Sequence, residues 1–280
     1  MAATAADRPA GETGLGLRRG QFRRIAVNGF GDQGNAYPHA MAWFDGSLYV
    51  GTTRHVLVLL YRRSESFRRW KVFPVRIPRE GSDELDIRGR IWRWDPADGR
   101  WTETAVSPMT TGSDGSAVPV FQGFRNMAVF RGAGDNRPCL YALTWSPRKG
   151  PGACFLRSED GRRFEQVPIR GFAASAFTTF RPLVEFRGRL FTAPTGKSGS
   201  GNNAGVSIII ANDDPAGSEW VQVNETDFGD PRNLSITEMT VFDGRLYAAT
   251  SNPEGFQLWR TDGEGDPPYR WERVLDGGAG

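Results

Sequence analysis

Two arginines, a histidine and a glutamate occupy matching places in a repeated pattern, and they are the residues best placed to do chemistry. Arg125 and Arg181 each follow a phenylalanine (Phe124, Phe180) and stand two positions before the apolar residues Met127 and Leu183. His39 and Thr237 stand two positions before Met41 and Met239, and Glu238 follows Thr237. Two convergent guanidinium groups and an imidazole can hold a carboxylate or a phosphate, because the planar arginine fork donates two parallel hydrogen bonds to such oxygens. The alternative is that these arginines pair with nearby acids and lock one repeat against the next.

A second basic group lies at residues 62–79, where Arg68, Arg69, Trp70 and Lys71 form its centre among Arg62, Arg63, Phe67, Phe73, Arg76 and Arg79. Interleaved basic and aromatic side chains can track a backbone and stack on bases. A solvated rim insertion with a few anchoring aromatics is the favoured reading, and nucleic acid is not the expected partner. Thr195-Gly196-Lys197-Ser198 ends like a phosphate-binding loop, but Phe191 occupies the place of the required upstream glycine. Asp32 and Asp230 sit in equivalent loops, as do Asn35 and Asn233, which points to a structural role in the turn into each first strand. Only His39 and His55 are histidines, and neither cysteine belongs to a CxxC pair, so no metal or other cofactor is expected. Cys139 and Cys154 could face each other across a hairpin, although free buried thiols fit a cytosolic chain better.

Bulk properties narrow the class. The 280 residues carry a net charge of +3, with 35 basic and 32 acidic residues, and arginine accounts for nearly all of the positive charge. That near balance argues against a polyanion-binding surface spread over the whole molecule. No run of about 18 apolar residues occurs, so no transmembrane helix is expected. Residues 1–20 lack the apolar stretch of a secretory signal and read as a disordered tail, which gives a cytoplasmic expectation.

The elements that must position these residues come from a self-match at a spacing of 198. Phe30, Asp32, Asn35, Met41, Phe44, Asp45, Gly46, Leu48, Tyr49 and Thr52 recur in register as Phe228, Asp230, Asn233, Met239, Phe242, Asp243, Gly244, Leu246, Tyr247 and Thr250. Weaker copies start at Met127 and Leu183. Each unit reads as an apolar stretch, an Asp-Gly or Arg-Gly turn, an alternating strand, a third strand after a variable loop, and a fourth that opens on Trp101, Phe164, Trp220 or Trp271. Four antiparallel strands per unit, repeated, describe the blades of an all-β propeller over residues 21–280. Unit starts at 41, 127, 183 and 239 leave an insertion at about 54–88 in the first unit. The first strand of each blade lines the channel, so His39, Arg125, Arg181 and Glu238 should ring one mouth.

At this point the chain resembles propellers of the kelch and Asp-box (neuraminidase-type) kind. Ser158-Glu159-Asp160-Gly161-Arg162-Arg163-Phe164 is similar to an Asp box, whereas the kelch double glycine is absent. Sialidases of this kind use an arginine cluster, and Phe180-Arg181-Pro182-Leu183 only partly resembles their Phe-Arg-Ile-Pro motif.

By the same 198 offset, residues 22–27 match a fourth strand that has no first three before it. The chain is therefore expected to be part of a longer propeller, or to close by self-association through an open blade edge. The leading expectation is a non-enzymatic propeller that binds a protein or an anionic small molecule or glycan through rim loops and the channel mouth. The alternative is a propeller hydrolase or lyase acting on an acidic carbohydrate, with Arg125, Arg181 and His39 holding the acidic group.

Overall fold

In the computed structural model, residues 17–63, 65–69, 77–81, 84–172, 176–197 and 203–279 are described. Asp45-Gly46, Arg187-Gly188 and Asp243-Gly244 each form a two-residue hairpin turn with both residues at positive φ. Glycine adopts this conformation without penalty, and such turns carry the twist that antiparallel strands need. The first blade contains β1 (Tyr37–Phe44), β2 (Ser47–Thr53), β3 (Arg90–Asp95) and β4 (Arg100–Val106), paired in that order. A small hairpin, β5 (Met109–Thr111) and β6 (Ala117–Pro119), follows it.

The second blade holds β7 (Gly123–Phe130), β8 (Cys139–Trp145), β9 (Phe155–Ser158) and β10 (Glu165–Val167). The third holds β11 (Phe177–Phe186), β12 (Arg189–Lys197), β13 (Ile210–Asn212) and β14 (Val221–Gln222). The fourth holds β15 (Ser235–Phe242), β16 (Arg245–Ser251), β17 (Leu258–Thr261) and β18 (Glu272–Leu275). All neighbours within a blade run antiparallel, and the expected all-β propeller of four-stranded units is the observed fold, curled into a half-barrel.

Apolar side chains at repeated places hold blade to blade. Phe44 packs with Met127 between the first two blades, Phe130 with Leu183 between the next two, and Phe186 with Met239 between the last two. Full burial of each such side chain contributes roughly 1.5–3 kcal/mol. The outer faces of the array carry the same positions uncovered: Met41 is 56% exposed and Phe242 is 69% exposed.

Residues 22–27 form no ladder, yet they sit against the first blade as 220–225 sit against the fourth. The Ile25 carbonyl accepts from Trp101 Nε1 at 2.6 Å, and the Val223 carbonyl accepts from Trp271 Nε1 at 2.9 Å. Phe30 packs on Trp92 and Trp101 just as Phe228 packs on Trp259 and Trp271. In both loops the asparagine amide (Asn35, Asn233) donates to the carbonyl six residues earlier. The paired aspartates and asparagines therefore shape the approach to the first strand.

Three local features depart from the repeat. In the second blade Arg131-Gly132 is not a tight turn but opens the loop 131–138, closed by Asp135, which accepts from the Gly132 amide at 2.9 Å. The insertion after β2 is partly helical, with α1 (Val56–Arg63) and α2 (Glu65–Arg68). Cys139 and Cys154 are free thiols at opposite ends of the β8–β9 hairpin. No helix among the described residues is long and apolar enough to cross a membrane.

Candidate functional site

The four first strands share one irregularity, and it falls on the residues singled out above. The ladder between first and second strands slips between Pro38 and Ala40, Phe124 and Asn126, Phe180 and Leu183, and Ile236 and Glu238. The skipped residues are His39, Arg125, Arg181 with Pro182, and Thr237. A bulge leaves its extra residue outside the ladder and turns that side chain away from the pleat. β1 lies against β7, β7 against β11, and β11 against β15, so the bulges follow one another around the inside of the arc.

His39, Arg125 and Arg181 come together there. Arg125 Nη1 is 3.5 Å from His39 Nδ1, and the Arg125 guanidinium lies 3.9 Å above the Trp145 ring. Asn126 Nδ2 reaches the Arg181 carbonyl at 3.4 Å, which ties the second and third bulges together. Arg125 is only 7% exposed, while His39 and Arg181 are half-buried. Burial, then the charges of Arg125 and Arg181, lower the His39 pKa to about 4. Burial also lowers Arg125 to about 10, with Tyr37 opposing that shift and Arg181 adding to it. At neutral pH the mouth thus presents guanidinium charge beside an uncharged imidazole.

This has a measurable consequence. An NMR titration of His39 should give a midpoint near 4 rather than the ordinary value of 6.5. Between those values the unfolded chain binds more protons than the folded one, so His39 makes stability fall as pH drops from about 6.5 to about 4. His39→Gln should remove that part of the slope. A midpoint near 6.5 would mean that His39 is not buried beside the two arginines.

Glu238 is not part of this cluster. Its side chain is exposed and Oε1 turns back to its neighbour's amide, Met239 N, at 3.3 Å, as Asn126 Oδ1 does to Met127 N at 2.8 Å. The rim residues also stay apart from the mouth chemistry: Arg68 Nη1 donates to the Arg62 carbonyl, and Arg69 pairs with Glu65 on an exposed helix. Trp70 and Lys71 lie outside the described residues.

Two residues that the sequence reading passed over belong to the site. Tyr37 lies beside His39, with ring centroids 4.9 Å apart, and acts on the Arg125 charge; Trp145 supplies the platform under Arg125. Their signal was departure from the repeat, since the fourth blade has Ser235 where the first has Tyr37, and Ser251 pairs with Ser235 much as Trp145 pairs with Gly123. Close by, Gln122 donates its amide to the Trp145 carbonyl and lines a cleft of about 1080 Å³ between residues 84–88, the β5–β6 hairpin and Pro147–Lys149. A cleft of that size accommodates a small-molecule ligand.

No family model matches the chain, and no curated protein matches it. Among solved structures it is similar to puromycin hydrolase, with 12% identity and a TM-score of 0.47 over 85% of this chain and 32% of that one. It is similar to the exo-beta-1,3-galactanase of Phanerochaete chrysosporium, with 7% identity and a TM-score of 0.45 over 84% of this chain and 49% of that one. It is also similar to CoXyl43, a GH43 beta-xylosidase/alpha-arabinofuranosidase from a compost microbial metagenome, with 12% identity and a TM-score of 0.43 over 85% and 77%. The chain thus spans about a third of the hydrolase and half of the galactanase. These likenesses concern the fold. These structures are largely glycoside hydrolases, so the comparisons lend no support to the expectation of a non-enzymatic binding module.

Proposed function

We propose that this chain is an enzyme that cleaves an acidic carbohydrate, with the sugar's carboxylate held at the channel mouth by Arg125 and Arg181 beside His39. The observation that carries the reading is the repeated bulge, which turns these three side chains into one place. Both charges acting on His39 are positive. A carboxylate arriving there gains charge-assisted hydrogen bonds, each worth about 1.5–3 kcal/mol net. The Trp145 ring holds the planar Arg125 guanidinium in place and limits the entropy lost when a ligand binds.

The test is a comparison of acidic with neutral glycans on the full chain. Oligogalacturonates, alginate oligosaccharides and glucuronate-containing oligosaccharides should show cleavage and saturable calorimetric binding for at least one of the three. Xylo- and galacto-oligosaccharides of equal length should show neither. Cleavage of the neutral set alone, or of no glycan with no binding, would overturn the reading.

A further inference from the structure

Among the described residues, the mouth holds the parts for one way of breaking a glycosidic bond and lacks those for another. Hydrolysis at a sugar ring ordinarily uses two carboxylic groups about 5–10 Å apart, one as acid and the other as base or nucleophile. Here the cluster comprises two arginines, an imidazole, a phenol and an indole, and Glu238 folds back onto its own strand. We infer that the reaction is β-elimination at a 4-linked uronate, with His39 Nδ1 as the base and the Tyr37 hydroxyl as the acid. This rests on the proposed function above and specifies its chemistry.

The balance is complete without any further reagent. Arg125 and Arg181 hold the uronate carboxylate and draw electron density from C5, which makes the C5–H bond more acidic. His39 Nδ1, the ring nitrogen facing Arg125, takes that proton. The electron pair of the C5–H bond becomes the C4=C5 double bond, and the C4–O4 bond breaks with its electrons passing to O4. Tyr37 gives its hydroxyl proton to O4, and the phenolate regains a proton from the imidazolium through solvent. The products are a 4,5-unsaturated uronate and an alcohol, and no water is consumed.

Local electrostatics suit this sequence. The groups facing His39 are Arg125 from β7, Arg181 from β11 and Tyr37 from its own strand. In the resting site burial, and after it the two cations, keeps the imidazole unprotonated. A bound carboxylate offsets their charge, so the imidazole becomes a stronger base when substrate is in place. Tyr37 sits against the same ring, so the acid and the base are held together.

The experiment uses the same three acidic oligosaccharides and follows the ultraviolet absorbance of the conjugated unsaturated uronate, with product masses by mass spectrometry. Elimination should give the chromophore and a product one water lighter than its hydrolytic counterpart. His39→Gln and Tyr37→Phe should each lower its rate by roughly 100-fold or more, with oligosaccharide binding within a few-fold of wild type. Cleavage that adds water and gives no chromophore would overturn elimination and leave the proposed function standing. Chromophore formation unchanged in His39→Gln, or in Tyr37→Phe, would overturn the assigned roles. Absence of both binding and cleavage would remove this inference together with the reading it rests on.

Discussion

Arg125→Ala is expected to lower kcat/KM on the acidic oligosaccharide by about 10²–10³-fold, the effect of removing one preorganised donor from a site where charge must be held. The loss should exceed that of Arg181→Ala, because Arg125 is the more buried of the two and is fixed on Trp145. The pH profile separates this role from a purely structural one. Burial, then the charges of Arg125 and Arg181, hold His39 down near 4, so removal of Arg125 should move the acidic limb of the rate profile part of the way upward toward 6.5. Arg125→Lys keeps a positive charge but not the planar fork, and should lose rate while the limb stays low. Rate measurements against pH, with urea unfolding of each variant as a control, decide the matter. A rate loss with an unmoved limb in Arg125→Ala would place the effect in packing.

Asp135→Ala should be the most damaging single change to stability, at about 3–5 kcal/mol. Its carboxylate closes the loop 131–138 by accepting from the Gly132 amide and the Tyr141 hydroxyl, both at 2.9 Å, and from Arg157 Nε at 2.9 Å. Asp135 is almost fully buried, and Arg157 nearly so. Truncation leaves a buried phenol without its acceptor. It also leaves the Arg157 guanidinium to Glu159 and Glu165, which are more exposed and more screened. Burial, with the neighbouring Asp135 charge, already holds the Tyr141 phenol above its ordinary pKa. Asp135→Asn keeps the shape and should cost less. Urea denaturation of the three proteins checks the ranking, and an asparagine variant as stable as the wild type would show that the charge contributes little.

The sequence carried most of the frame because the frame repeats. Ten identities at one offset, Asp-Gly turns at 45–46 and 243–244 and four opening aromatics were enough to place sixteen strands in four blades. The positions of His39, Arg125 and Arg181 were legible for the same reason, since all three lie at one offset from the start of a unit. What the repeat could not convey were the places that break it. Among the described residues the α1 and α2 helices have no counterpart in other blades, so periodicity offers no guide to them. Arg131-Gly132 has the composition of a tight turn, but its geometry is set by Asp135, Tyr141 and Arg157, which meet only in the folded blade. Glu238 follows a bulge residue in sequence, yet its exposed carboxylate turns to its neighbour's amide. Tyr37 and Trp145 carry no repeat signal because they replace small residues of the pattern.

The slipped ladder at the start of each blade has a consequence for how such a mouth can change. A residue inside a ladder is tied to its cross-strand partner, and a shift of one place turns every following side chain to the wrong face. His39, Arg125 and Thr237 stand outside that pairing, in sockets that the same backbone irregularity provides on three different blades. A socket can exchange imidazole for guanidinium or hydroxyl without disturbing the register below it. The half-barrel is in this sense a rack with interchangeable fittings, and its chemistry is set by which fitting each blade holds.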